Sequence, residues 1–239
     1  ITNRKGYDNQ PYFHHTQPFL YFASFNDSGR SDIKYYNYKT KQTTQFTNTN
    51  EREYSPTLTP DGKFISCIVQ GENGAQDLGK YPVNGGAPLI LINNLTVGYH
   101  CWINQNSLLL FILDDSTSNS LRHYNLLSKK DSVLIKNPGR CIQKVPGQNA
   151  LSFVEKKTKE EWLLKKYNSK TGIISTIASC LPGREDYCWL NSNIILISDG
   201  STFFYLNTAD NKGWRSVKME MANTNFKGIT RLAYQKKNN

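Results

Sequence analysis

Ten residues carry the side chains with which this chain could do chemistry: Asp8, Glu53, Tyr54, Tyr99, His100, Arg140, Glu185, Asp186, Tyr187 and Arg231. They are picked out by spacing. With Asn9, Tyr54, Tyr99, Arg140, Asp186 and Thr230 taken as equivalent, the sequence repeats with a period of roughly 41 to 46 residues. The positions just before them hold Asp8, Glu53, Gly98, Gly139, Glu185 and Ile229, and those just after hold Gln10, Ser55, His100, Cys141, Tyr187 and Arg231. Carboxylates, arginines, a histidine and tyrosines therefore share equivalent places. Arginine grips a carboxylate through two parallel hydrogen bonds, so the set could hold a peptide carboxylate, an amine or a sugar. Two other readings stay open: Arg140 and Arg231 neutralise Glu53, Glu185 and Asp186, or paired carboxylates serve as general acid and base, as glycoside cleavage requires. His100, in G-Y-H-C-W, is a candidate base or a hydrogen-bonded strand histidine.

The elements that must position these residues are short strands. Tyr54 to Val69 reads Y-S-P-T-L-T-P-D-G-K-F-I-S-C-I-V, two apolar runs around a Pro-Asp-Gly turn, which predicts a β-hairpin closed by positive φ at Gly62. Imperfect copies recur, four strands to a period, over residues 6–47, 52–92, 97–135, 139–178 and 184–219. Four antiparallel strands in a repeat of this size predict an all-β, single-domain β-propeller. Residues 226–236 begin a further copy, and Ile1 to Asn3 resembles the tail of an outer strand. The expectation is therefore six blades with a split or incomplete closing blade, five blades being the alternative. Glu160 to Tyr167 is the best helix candidate, yet it falls where the repeat needs a strand. In a propeller the first strand of each blade lines a central channel, so the ten residues are expected at the channel mouth. Trp102 and Trp189 hold equivalent positions and are expected to pack between blades.

The Y-S-P-T-L-T-P-D-G-K-F-I-S-C-I pattern, with D-I-K-Y-Y-N-Y (Asp32 to Tyr38) in the first repeat, resembles the TolB-like β-propeller repeat, and the resemblance covers nearly the whole chain. Only the second repeat keeps the Pro-Asp-Gly turn; elsewhere H-H-T-Q, N-Q-N, V-P-G-Q and N-S-N replace it. Together with G-Y-H-C-W, L-P-G-R-E-D-Y-C-W and K-G-I-T-R-L-A, the chain is similar to exported TolB-like proteins of Bacteroidetes-type bacteria rather than to TolB itself, which carries an additional N-terminal α/β domain. The resemblance implies a periplasmic or secreted binding or scaffolding module with a protein or peptide partner at the channel-mouth face. A small-molecule or glycan ligand is the secondary expectation. The competing class is a hydrolase or lyase using His100, Arg140, Arg231 and the acidic residues. A third class, the propeller of a larger peptidase, would require a catalytic domain besides the repeats.

Composition narrows the choice. The 239 residues carry a formal charge of +10, yet the lysines fall in scattered pairs such as Lys129-Lys130 and Lys165-Lys166. Without a basic stretch interleaved with aromatics, nucleic acid is not expected as partner. The longest apolar run, Leu108 to Leu113, is far too short to span a bilayer. The sequence opens at Ile1 without an initiator methionine or targeting segment, as a processed or trimmed chain would. Five cysteines without a C-x-x-C pair argue against zinc and for small buried hydrophobes, with at most a pair or two bridged on export. Nucleophile-elbow, zincin, Walker and dinucleotide motifs are missing, and no cofactor is expected. The loop Asn26 to Asp32 lacks the spaced acidic ligands of a calcium loop. A monomer is expected.

Overall fold

The turn at residues 59–62 forms as its residues dictate. Pro60 sets the first corner, the Gly62 amide donates to Thr59 O at 2.9 Å, and Gly62 adopts φ 71°. Asp61 Oδ1 accepts from the Thr59 hydroxyl and the Lys63 amide, fixing the loop from inside. The computed structural model describes residues 2, 4–114, 118–210, 212–217 and 227–236. Within these, the strands make five four-stranded antiparallel sheets, each in sequence order, the blades of a β-propeller.

The first blade comprises β1 (Asp8–Phe13), β2 (Phe19–Phe25), β3 (Ser31–Asn37) and β4 (Gln42–Gln45). The second holds β5 (Arg52–Leu58), β6 (Phe64–Gln70), β7 (Gln76–Pro82) and β8 (Leu89–Ile92). The third holds β9 (Val97–Asn104), β10 (Ser107–Ile112), β11 (Ser120–Asn125) and β12 (Asp131–Lys136). The fourth holds β13 (Pro138–Lys144), β14 (Ala150–Lys156), β15 (Trp162–Asn168) and β16 (Ile174–Ser179). The fifth holds β17 (Tyr187–Trp189), β18 (Ile194–Ser198), β19 (Phe203–Asn207) and β20 (Arg215–Ser216). Trp162–Asn168 is thus a strand; the repeat prevails over the local helical pattern, because β15 pairs with β14 along its whole length.

The chain divides into two compact units, Ile1–Ser132 and Val133–Asn239. In the first, Tyr21, Ala23 and Ile33 pack against Leu58, Ile65 and Cys67, and Ile68, Leu78 and Ile92 against Trp102, Leu108 and Leu110. In the second, Val145, Ala150, Val154 and Leu164 pack against Tyr187, Trp189, Ile195 and Ile197. The core of each unit lies between successive sheets, which explains why second strands such as F-I-S-C-I-V-Q are apolar on both faces while the outer strand β4 is exposed throughout.

The expected sixth blade is corrected: among the described residues there are five sheets, and residues 227–236 join none of them. A single extended segment has no second strand with which to build a ladder. It nevertheless sits where a next inner strand would. The Ile229 amide donates to Gly200 O at 2.9 Å, and Arg231 pairs with Asp186 at a sequence offset of 45. The same offset links Gln10 to Ser55 on consecutive inner strands, and Arg140 of β13 to Glu185 just ahead of β17. Ile1 and Asn3, proposed as the other part of that blade, lie outside the described residues.

Candidate functional site

Of the ten singled-out residues, five fall in each unit. In the first, Asp8 accepts from Arg4 at 2.7 Å; burial pushes its carboxyl up, but hydrogen bonds from Arg4 and Ser24 outweigh this and hold it below the usual range. Glu53 is fully buried, taking hydrogen bonds from the hydroxyls of Thr47 (2.9 Å), Thr49 and Tyr81 (2.9 Å). Burial, with Asp32 nearby, raises its pKa. Tyr54 stands edge-on to Tyr7, and Tyr99 edge-on to Phe111.

His100 is 7% exposed and its Nε2 lies 2.8 Å from Ser66 Oγ. The tautomer follows from counting. Ser66 donates its hydrogen to Thr57 O and accepts from Trp102 Nε1 at 2.8 Å, so its remaining lone pair must receive an N–H from His100 Nε2. Nδ1 is then a bare acceptor, buried without a partner among the described residues. Burial drives the imidazole pKa down to about 3. A group so weakly basic cannot serve as a general base near neutrality.

The second unit repeats this hub and adds a charged cleft. Ser152 Oγ accepts from the Tyr187 hydroxyl and from Trp189 Nε1, both at 2.8 Å. Tyr187 therefore stands behind the site as a packed strut. Both tryptophans connect consecutive blades, as their equivalent spacing predicts. In front lies a cleft of about 110 Å³ lined by Arg140, Gly183, Arg184, Glu185, Asp186, Ser198, Ile229, Thr230 and Leu232. Sequence reasoning brought Arg140, Glu185, Asp186 and Arg231 together; it missed Arg184 and Lys156.

Glu185 is held by one backbone and two side-chain donors. The amide of Arg140 donates to Glu185 Oε2 (3.0 Å) and its Nε to Oε1 (2.6 Å), while Lys156 Nζ is 2.7 Å from Oε2. Burial pushes the Glu185 carboxyl up, but Lys156 and Arg140 overcome it and hold it below the usual carboxylate range. Gly139 makes room for this triad: a Cβ there would stand 3.0 Å from Glu185 Oε2 and 2.9 Å from Val154 Cβ. Burial raises the Asp186 carboxyl despite its ion pair with Arg231.

Arg184 is aimed by a turn. The Arg184 amide donates to Leu181 O at 3.0 Å around Pro182 and Gly183, with Gly183 at φ 68°, the pattern of a type II turn. The L-P-G-R stretch was therefore the signal available for it. The guanidinium lies over Gly200, where any Cβ would come within 3.2 Å of it. It makes no hydrogen bond to the described residues, and its charge is felt by half-buried Asp199.

All five cysteines are free thiols, Cys180 half-buried and the rest buried. Among the described residues no group of three or more His, Cys, Asp or Glu side chains could hold a metal ion. No helix among them is long and apolar enough to cross a membrane.

No family model matches the sequence. No curated protein matches it either. Solved structures do, and they define the class by fold. TolB from Acinetobacter baumannii aligns with a TM-score of 0.68 at 13% identity over 85% of this chain and 52% of that one. A TolB-type protein of Agrobacterium tumefaciens aligns with a TM-score of 0.72 at 12% identity, over 89% and 81% respectively. A puromycin-hydrolysing peptidase of Mycobacterium tuberculosis aligns with a TM-score of 0.63 at 11% identity, over 91% of this chain and 37% of that one. The chain is thus a β-propeller of the TolB-like fold, spanning about half the length of the Acinetobacter protein. At such identities the likeness is one of fold.

Proposed function

We propose that the protein is a binding module, a TolB-like propeller acting as one domain in the bacterial envelope, periplasmic or secreted, which engages a protein or peptide partner through the cleft of its second unit. The observation that carries this reading is the charge arrangement. Arg140, Arg184, Arg231 and Lys156 gather around two carboxylates that are already ion-paired. Such a cleft attracts and orients an anionic group. Its lining holds no cysteine, histidine or lysine to serve as nucleophile or neutral base.

A hydrolase reading finds one supporting observation: the adjacent carboxyls of Glu185 and Asp186 are pushed in opposite directions, as an acid and base pair would be. One experiment separates the two. Thermal melting of wild type and an Arg231→Ala, Glu185→Ala double variant is followed against a peptide panel, alongside turnover assays with chromogenic glycosides and peptide anilides. A peptide at a hundred times its Kd stabilises by about 2.7 kcal/mol, or roughly 5 to 10 °C for a chain of this size. That rise in wild type alone, without turnover, is the expected result. Turnover abolished by the double substitution would establish the hydrolase instead, and a panel that shifts nothing would refute peptide binding.

A further inference from the structure

We propose that this cleft receives the free C-terminal carboxylate of a peptide chain ending in a small apolar residue, an inference that rests on the binding-module reading and names its ligand. The cleft is small, about 110 Å³, and opens to solvent, so a chain end can enter it while the rest of the peptide stays outside. Sign removes the amine, since a peptide N-terminus would meet Arg140 and Arg184 with both local carboxylates already ion-paired, Glu185 to Arg140 and Asp186 to Arg231.

The lining separates a carboxylate from an inorganic anion. One part of it is cationic and hydroxylic, with Arg140, Arg184, Ser198 and Thr230; another is apolar, with Ile229 and Leu232. Phosphate or sulfate would leave the apolar wall unused, whereas a terminal alanine or valine covers it while its carboxylate faces the guanidinium groups. Arg184 is the residue placed for this contact. Its turn fixes where it starts, Gly200 leaves space for its planar head, and it makes no hydrogen bond to the described residues. A planar fork with unused donors matches a carboxylate through two parallel hydrogen bonds.

The test is calorimetric titration of the whole chain with N-acetyl-Ala-Ala-Val as the free acid, the same peptide as its C-terminal amide, and inorganic phosphate. The free acid should bind at least about tenfold more tightly than the amide, the contribution of one charge-assisted contact. In an Arg184→Gln variant, melting at the wild-type temperature, that preference should fall to within about threefold. Acid and amide binding equally would overturn the proposal while leaving the binding-module reading intact. Phosphate binding as tightly as the peptide acid would overturn it in favour of an inorganic-anion site. Should Arg184→Gln melt early, Gly183→Ala, which alters the aim of the same arginine through its turn, supplies the second comparison; an undiminished acid preference there would also overturn it.

Discussion

At the residue scale, two serines each tie one blade to the next. Ser66 and Ser152 each place one hydroxyl among an aromatic or imidazole donor and a tryptophan from the following blade. Ser66→Ala would leave the N–H groups of His100 and Trp102 buried and unpaired, costing about 2 to 4 kcal/mol, whereas exposed Ser201→Ala should stay within about 0.5 kcal/mol. Urea denaturation of the two variants measures the contrast. The tryptophans were legible from their spacing. The serines were not, because a serine in an apolar strand carries no mark of what it will accept from the next repeat. His100 makes a second prediction, with a sign. Its folded pKa of about 3 lies below the usual histidine value, so the unfolded chain binds the extra proton between those limits. Its stabilising contribution is complete above pH 6.5 and is lost as pH falls toward 3, about 3 kcal/mol between pH 6.5 and 4. Glu53, with a raised pKa, acts in the opposite sense above its unfolded value, and Glu185, with a lowered one, in the same sense as His100 over its own range. Comparison with His100→Gln cancels both carboxyls: wild type should lose more stability on acidification than the variant, and parallel curves would show that His100 is not buried neutral.

At the element scale, the turns and inner strands carry the positional information. The Pro-Asp-Gly hairpin was legible because proline and glycine have few alternatives there. The bulges in β1 and β5 were not legible. Gln10 and Ser55 adopt φ of 57° and 55°, conformations their side chains disfavour, and the Gln10 side chain accepts the Ser55 amide at 2.9 Å to hold the second of them. Nothing in N-Q-P or Y-S-P announces such a bulge, since its cause is a contact made 45 residues away. Glycines separate turn conformation from close approach. Gly62 has open space around its missing side chain but a φ of 71°, so Gly62→Ala should cost about 1 kcal/mol. At Gly139 the new methyl would stand 2.9 Å from Val154 Cβ and 3.0 Å from Glu185 Oε2. Gly139→Ala should therefore cost about 2 to 3 kcal/mol and, by displacing Glu185, weaken ligand binding. Denaturation midpoints that rank the two variants in the reverse order would contradict this packing.

At the scale of the whole molecule, the repeat made the fold class legible and left the blade count open, because a sixth inner-strand segment can be present in sequence without the neighbours that would make it a sheet. The candidate site was legible in its ion pairs, which follow the repeat, and not in Arg184, which stands two positions before the aligned Asp186. Net charge adds a property that no single residue has. With 29 Lys and Arg against 19 Asp and Glu, the chain carries +10. A field of that sign draws an anionic peptide from a distance and is screened as the Debye length shrinks from about 30 Å at 0.01 M salt to about 8 Å at 0.15 M. The contact inside the cleft is shorter than either length, so salt should act on arrival rather than on departure. Stopped-flow measurement with the free-acid peptide should show the association rate falling several-fold across that range while the dissociation rate changes less than about twofold. Arg184→Gln should do the reverse, raising dissociation about tenfold with a small effect on association. A salt effect carried by the dissociation rate would mean that the ligand's charge stays in solvent, at the rim of the cleft rather than against the guanidinium groups that line it.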